Sequence, residues 1–219
     1  MDYMQFVIDY VEGRVPFDTF YSRVMTDDSL AEWLEQRALP GWQCYPVVSK
    51  ETNFQIVPLP FSIRYWFDML ARESSVGSVK HRVEVQVCMT LLIRKHYPNQ
   101  AIHPDPSDNE LSCLLLDACP SYVDGPEVWK SGVIEKIANE CPKEWSKTKK
   151  KAHIKARIIE EFHLEDKKHP RWWQSPEWPF SDGKPMKYVK TTVKYKNEWY
   201  QHHFVNPETG EERIVDDMS

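Results

Sequence analysis

The residues of this chain best suited to chemistry are its eight histidines and five cysteines, and their spacing argues against most of it. A zinc site needs imidazoles or thiolates in closely spaced pairs. His81, His96, His103 and His153 are scattered, and His163 and His169 flank a linker. His202 and His203 are neighbours in an alternating segment, where successive side chains point to opposite faces, so both cannot enter one site. Cys44, Cys88, Cys113, Cys119 and Cys141 are irregularly spaced and form no Cys-x-x-Cys pair. The sequence therefore predicts no metal, no cofactor and no disulfide framework, only free thiols in a reducing cytoplasm.

Three other groupings have a chemical reading. Ser146-Lys147-Thr148-Lys149 has the Ser-x-x-Lys spacing of some acyl-transfer nucleophiles, but its companion motifs are missing and Ser146 is placed to cap a helix. Lys147, Lys149, Lys150, Lys151, Lys155 and Arg157 make a basic helix start without interleaved aromatics. That is a solvated face more than a nucleic-acid surface, and nucleic acid is not expected as a partner. Asp105, Asp108, Glu110, Asp117, Asp124 and Glu127 make the middle of the chain locally acidic. With no nucleophile beside them they predict no catalysis. As exposed loop charges, Asp105, Asp108, Glu110, Asp124 and Glu127 are candidates to meet a cationic partner, with little role in stability.

The elements that must position these residues follow from periodicity. Helices are predicted over 2–12, after Pro16, from Ser29 through a capping box, from Phe61, over 79–97, over 109–118, from Gly125 to about Ala138, and from Ser146 to Phe162. Over 79–93 the chain reads as helix or strand, because Val83-Glu84-Val85-Gln86-Val87 alternates; as a helix it would carry Val79, Val83, Val87 and Leu91 on one face. Residues 38–60 read as a loop with one short strand near Gln55-Ile56-Val57. Strands are predicted over Met186–Tyr195, Glu198–Asn206 and Glu211–Val215, joined at Lys196-Asn197 and at Pro207-Glu208-Thr209-Gly210. The class is α+β: a multi-helix body over 1–165, then a strap and a small antiparallel β-meander over 166–219, packed on the body as one unit. A net charge of -5 and ordinary hydrophobic content fit a folded cytoplasmic protein with no signal peptide and no membrane span.

The strap is the most distinctive stretch. Three of nine tryptophans fall within seven residues of Pro170-Arg171-Trp172-Trp173-Gln174-Ser175-Pro176-Glu177-Trp178-Pro179. Its prolines rule out a helix, and a disordered linker would waste the apolar surface of the indoles. Trp172, Trp173, Trp178 and Pro179 read as a structural clamp.

The block from His169 to Pro179, followed by Gly183-Lys184-Pro185-Met186-Lys187-Tyr188-Val189, resembles the C-terminal signature of bacterial immunity proteins encoded beside polymorphic toxins. The Glu208-Thr209-Gly210-Glu211 turn fits as well, and the N-terminal helix from Tyr3-Met4-Gln5-Phe6-Val7 is loosely similar. The resemblance covers about the last fifty residues. It implies a non-enzymatic protein that binds and occludes a cognate toxin domain. The alternatives are a hydrolase-like enzyme with a dispersed active site and a nucleic-acid-associated regulator using the basic helix at 147–157.

Overall fold

Helix α1, Tyr3–Val11, starts where Asp2 accepts the backbone N–H of Met4 at 3.0 Å, and buries Phe6, Val7, Tyr10 and Val11. α2 (Phe17–Thr26) answers with Phe17, Phe20 and Val24, and the Tyr10 and Phe20 rings stack at 4.0 Å. These belong to a computed structural model that describes residues 2–39, 42, 61–72, 74–165, 168–195 and 198–218. The Gln55-Ile56-Val57 strand, the Lys196-Asn197 turn and Cys44 lie outside the described residues. The chain divides into two compact units, Met1–Arg72 with Lys80–Asp108, and Glu73–Val79 with Asn109–Ser219.

Within the first unit, α3 (Asp28–Glu35) is capped by Asp27, whose carboxylate accepts the Leu30 N–H at 3.1 Å. The cap expected at Ser29 thus sits two residues earlier, where the same carboxylate also meets Arg23 one helical turn before it. α4 (Ile63–Leu70) buries Ile63, Trp66 and Phe67. α5 (Val79–His96) is a helix throughout, which settles the ambiguity of that stretch. Its buried face is not the predicted one. Val85, Met89, Leu92 and Ile93 are buried, while Val87 and Leu91 are about half exposed. Side chains spaced strictly by four drift around a helix of 3.6 residues per turn, so Val79, Val83, Val87 and Leu91 cannot all stay inside. Burial of the 85-89-92-93 stripe outweighs the weak helix propensity of the valines.

Most of α6 (Ser107–Ala118) belongs to the second unit, where it buries Leu114, Leu115 and Ala118. The single helix expected from Gly125 is two: α7 (Pro126–Ser131) and α8 (Val133–Asn139). Gly132 separates them at φ +70°, a left-handed conformation that glycine adopts freely and that no helix continues through. α9 (Lys147–Glu161) is capped by Ser146 and buries Ile154 and Ile158.

After the strap, β1 (Phe180–Ser181) and β2 (Lys184–Pro185) form a tight hairpin. Asp182 and Gly183 both have positive φ, as its two-residue turn demands. Then β3 (Lys187–Tyr195), β4 (Trp199–Val205) and β5 (Glu212–Met218) pair antiparallel in that order, with Thr191 opposite His202 and His202 opposite Val215. The β4–β5 turn is held by Asn206, whose side chain accepts the Glu208 N–H at 2.9 Å, and by Gly210 at φ +74°. One core joins α6 to α9, the strap and the sheet through Leu115, Ile134, Ile158, Phe162, Trp178 and Phe204.

Candidate functional site

The strap is tied to the rest of the second unit by backbone contacts as much as by its rings. Trp178 is fully buried, and its indole N–H donates to the Met186 carbonyl at 2.8 Å. Pro179 accepts the Met186 N–H at 3.0 Å. Trp172 is half-buried; it donates to the Tyr122 carbonyl at 2.9 Å and stacks on Phe204. Trp173 differs from both. It is 56% exposed, its backbone N–H donates to Asp217 at 2.6 Å, and its ring lies against Tyr200 at a centroid distance of 6.0 Å. Gly125 is needed because a Cβ there would lie 1.9 Å from the Pro176 carbonyl oxygen.

Asp217 is the hub of a buried network. It accepts the N–H groups of Trp173 and Gln174 and lies 3.3 Å from Nε2 of His202. A carboxylate can only accept, so it fixes the Nε2 proton of a neutral imidazole and leaves Nδ1 to accept from Thr191 at 2.8 Å. Thr191 in turn is 2.7 Å from the Tyr188 hydroxyl. Burial holds the His202 imidazole below its ordinary range, against the opposing pull of Asp217. Local spacing within 168–201 offers no nucleophile–base pair, yet the fold brings the Thr191 hydroxyl and His202 together across two strands. The signal that could have found it is the register, which sets Thr191 opposite His202. As predicted, His203 lies on the other face, bonded to Thr192.

The network ends at a cleft between the strap and β3–β4, about 680 Å³ in volume. Its walls are Trp172, Trp173, Tyr188 and Tyr200, with Lys168, Arg171 and Lys190 as the charged groups and no carboxylate among the described lining residues. Lys168 pairs with Glu165 at 3.4 Å; Arg171 and Lys190 have no carboxylate partner among the described residues.

The sheet's opposite face is open and mixed, exposed apolar side chains alternating with a polar row of Thr192, Gln201 and Asp216. Tyr195, Trp199 and Met218 lie side by side across its three strands, with Ile214 further along β5. Their exposures run from 38% to 57%. Asp216 sits among them and accepts from both Trp199 and Gln201.

The acidic candidates fall in both units, Asp105 and Asp108 in the first and Glu110, Asp124 and Glu127 in the second. Several are structural, contrary to the expectation of idle loop charges. Asp108 makes a two-point ion pair with Arg82 at 2.6 and 2.9 Å. Asp124 accepts the Trp129 indole N–H at 2.6 Å. Asp105 accepts from Ser107 and closes against Gly13. Glu127 pairs with Lys130 on the surface, and Glu110 is exposed. Two cations of the basic helix are paired from within the unit, Arg157 with Glu140, Glu160 and Glu161 and Lys151 with Asp117, while Lys149 lies over the Trp145 ring. Cys88, Cys113, Cys119 and Cys141 are free thiols. Among the described residues no cluster of His, Cys, Asp or Glu is placed to hold a metal, and no helix is long and apolar enough to cross a membrane.

Compared with known proteins, the chain matches no protein family, no curated protein and no solved structure.

Proposed function

We propose that this chain is a non-enzymatic immunity protein that binds a cognate bacterial toxin domain and occludes it. The observation that carries the reading is the open face of the C-terminal sheet, where Tyr195, Trp199, Ile214 and Met218 are exposed together. Interface cores are enriched in Tyr, Trp and Met and depleted in charge, and these side chains gain nothing by facing water. The strap resemblance names the partner class. The proposed docking face therefore lies on the sheet, while the carboxylates of Asp105, Asp108 and Asp124 serve their own units and leave Glu110 and Glu127 as accessory charges at most.

A hydrolase has one observation in its favour, the Asp217–His202–Thr191 chain. That chain also has a sufficient structural role, because the same carboxylate anchors the strap through two backbone N–H groups.

The test is protection of a bacterial host from the toxin domain encoded beside this gene. Ile214→Asp combined with Met218→Asp changes only exposed side chains and should abolish protection while leaving the melting temperature within a few degrees of the parent. Full protection by the folded double variant would move the docking face elsewhere.

A further inference from the structure

The cleft between the strap and β3–β4 is not used by the inhibitor reading, and its chemistry is specific enough to name a ligand. We infer that it binds a nucleoside phosphate, the phosphate on Arg171 and Lys190 and the base against the exposed face of Trp173.

The charge points to an anion: among the described residues three cations and no carboxylate line the cleft, and of these cations only Lys168 is paired, with Glu165. An isolated phosphate would not need the rest of the wall. Trp173 leaves 56% of its surface in solvent and faces Tyr200 at a centroid distance of 6.0 Å and an interplanar angle of 30°. An indole held by its backbone, its ring beside Tyr200 and more than half of its surface open, is a stacking platform, and bases stack on such rings without regard to sequence. The volume of about 680 Å³ lies within the range of small-molecule and cofactor sites.

The hydroxyls of the cleft narrow the reading further. Tyr188 and Thr191 bond to each other, and Thr191 bonds onward to His202, so they are committed to the buried network. Few side-chain groups remain to read the hydrogen-bonding edge of a base. The site therefore selects phosphate plus a flat ring and does not distinguish one base from another. This is independent of the docking face, since Ile214 and Met218 do not line the cleft.

Isothermal titration of the full chain with adenosine 5′-monophosphate, thymidine 5′-monophosphate, hexathymidylate and inorganic phosphate tests it. Both mononucleotides should bind one per chain with affinities within about tenfold of each other, and inorganic phosphate much more weakly. Trp173→Ala should weaken nucleotide binding at least about fivefold, the lower end of a lost stack, with no change in melting temperature. Arg171→Gln and Lys190→Gln should each weaken it by a comparable factor. Hexathymidylate binding more than about tenfold tighter than the mononucleotides would make single-stranded nucleic acid the natural source of the ligand, and equal binding would make it the free nucleotide. The inference is overturned if neither mononucleotide nor hexathymidylate binds at millimolar concentration. It is equally overturned if inorganic phosphate binds as tightly as the nucleotides, or if the folded Trp173→Ala variant binds like the parent.

Discussion

Replacing Trp178 with alanine should destabilise the second unit by about 4 kcal/mol, and the structure supplies the terms. The side chain is completely buried, with Phe162 edge-on at 5.5 Å and Phe204 at 5.2 Å. Burial of roughly 150–250 Å² at about 25 cal/mol per Å² gives about 4–6 kcal/mol as an upper figure. Truncations of large buried aromatics cost about 3–5 kcal/mol. The indole N–H bond to the Met186 carbonyl is lost as well, leaving a buried acceptor without that donor. With a urea slope of about 2 kcal/mol per molar, the midpoint should fall by about 2 M in equilibrium unfolding followed by far-ultraviolet circular dichroism. Two companions sharpen the measurement. Trp178→Phe keeps an aromatic ring but not the N–H and should lose about 1–3 kcal/mol. Trp173→Ala, more than half exposed, should stay within about 0.5 kcal/mol of the parent. If Trp178→Ala shifts the midpoint no further than Trp173→Ala, the assignment of Trp178 to the core is wrong.

Gly125→Ala should also destabilise the second unit measurably, since its Cβ would meet the Pro176 carbonyl oxygen at 1.9 Å and the strap would have to move; an unchanged melting temperature would contradict that contact. Stability should fall as pH drops through about 6.5. His202 in the second unit and His81 in the first are both held below their ordinary range by burial. Between the folded and unfolded values the unfolded chain binds more protons, so the stabilisation is complete above about 6.5 and lost below it. Melting temperatures at about pH 7.5 and about pH 5.5 should show the drop, and His202→Gln should reduce it; a flat profile in the parent would refute the burial argument.

Elements set by local chemistry were legible in the sequence. Pro16 and Ser146 mark helix starts, and alternation from Lys187 onward marks the sheet. What escaped the reading depended on longer-range facts. The inward face of α5 is set by what packs against it, so Val87 and Leu91 look as apolar as Val85 and Met89 yet stay outside. Gly132 breaks a helical pattern that the apolar residues on either side continue, and only its positive φ reveals the break. Asp182-Gly183 is a readable turn signal that the tryptophans beside it overshadow. The cleft joins residues of the strap to residues of β3 and β4, and no spacing rule brings those together. Asp217 lies beyond Val215, where the third strand was expected to end, so the anchor of the strap fell outside the elements under consideration.

The most direct test of the immunity reading is calorimetric titration of this chain with the purified toxin domain that the proposal expects to be encoded beside it. The account predicts a one-to-one complex with a dissociation constant in the nanomolar range or tighter, corresponding to about 12 kcal/mol or more, and loss of toxin activity on the same stoichiometry. No binding at micromolar concentrations, or a tight complex in which the toxin stays active, would contradict it.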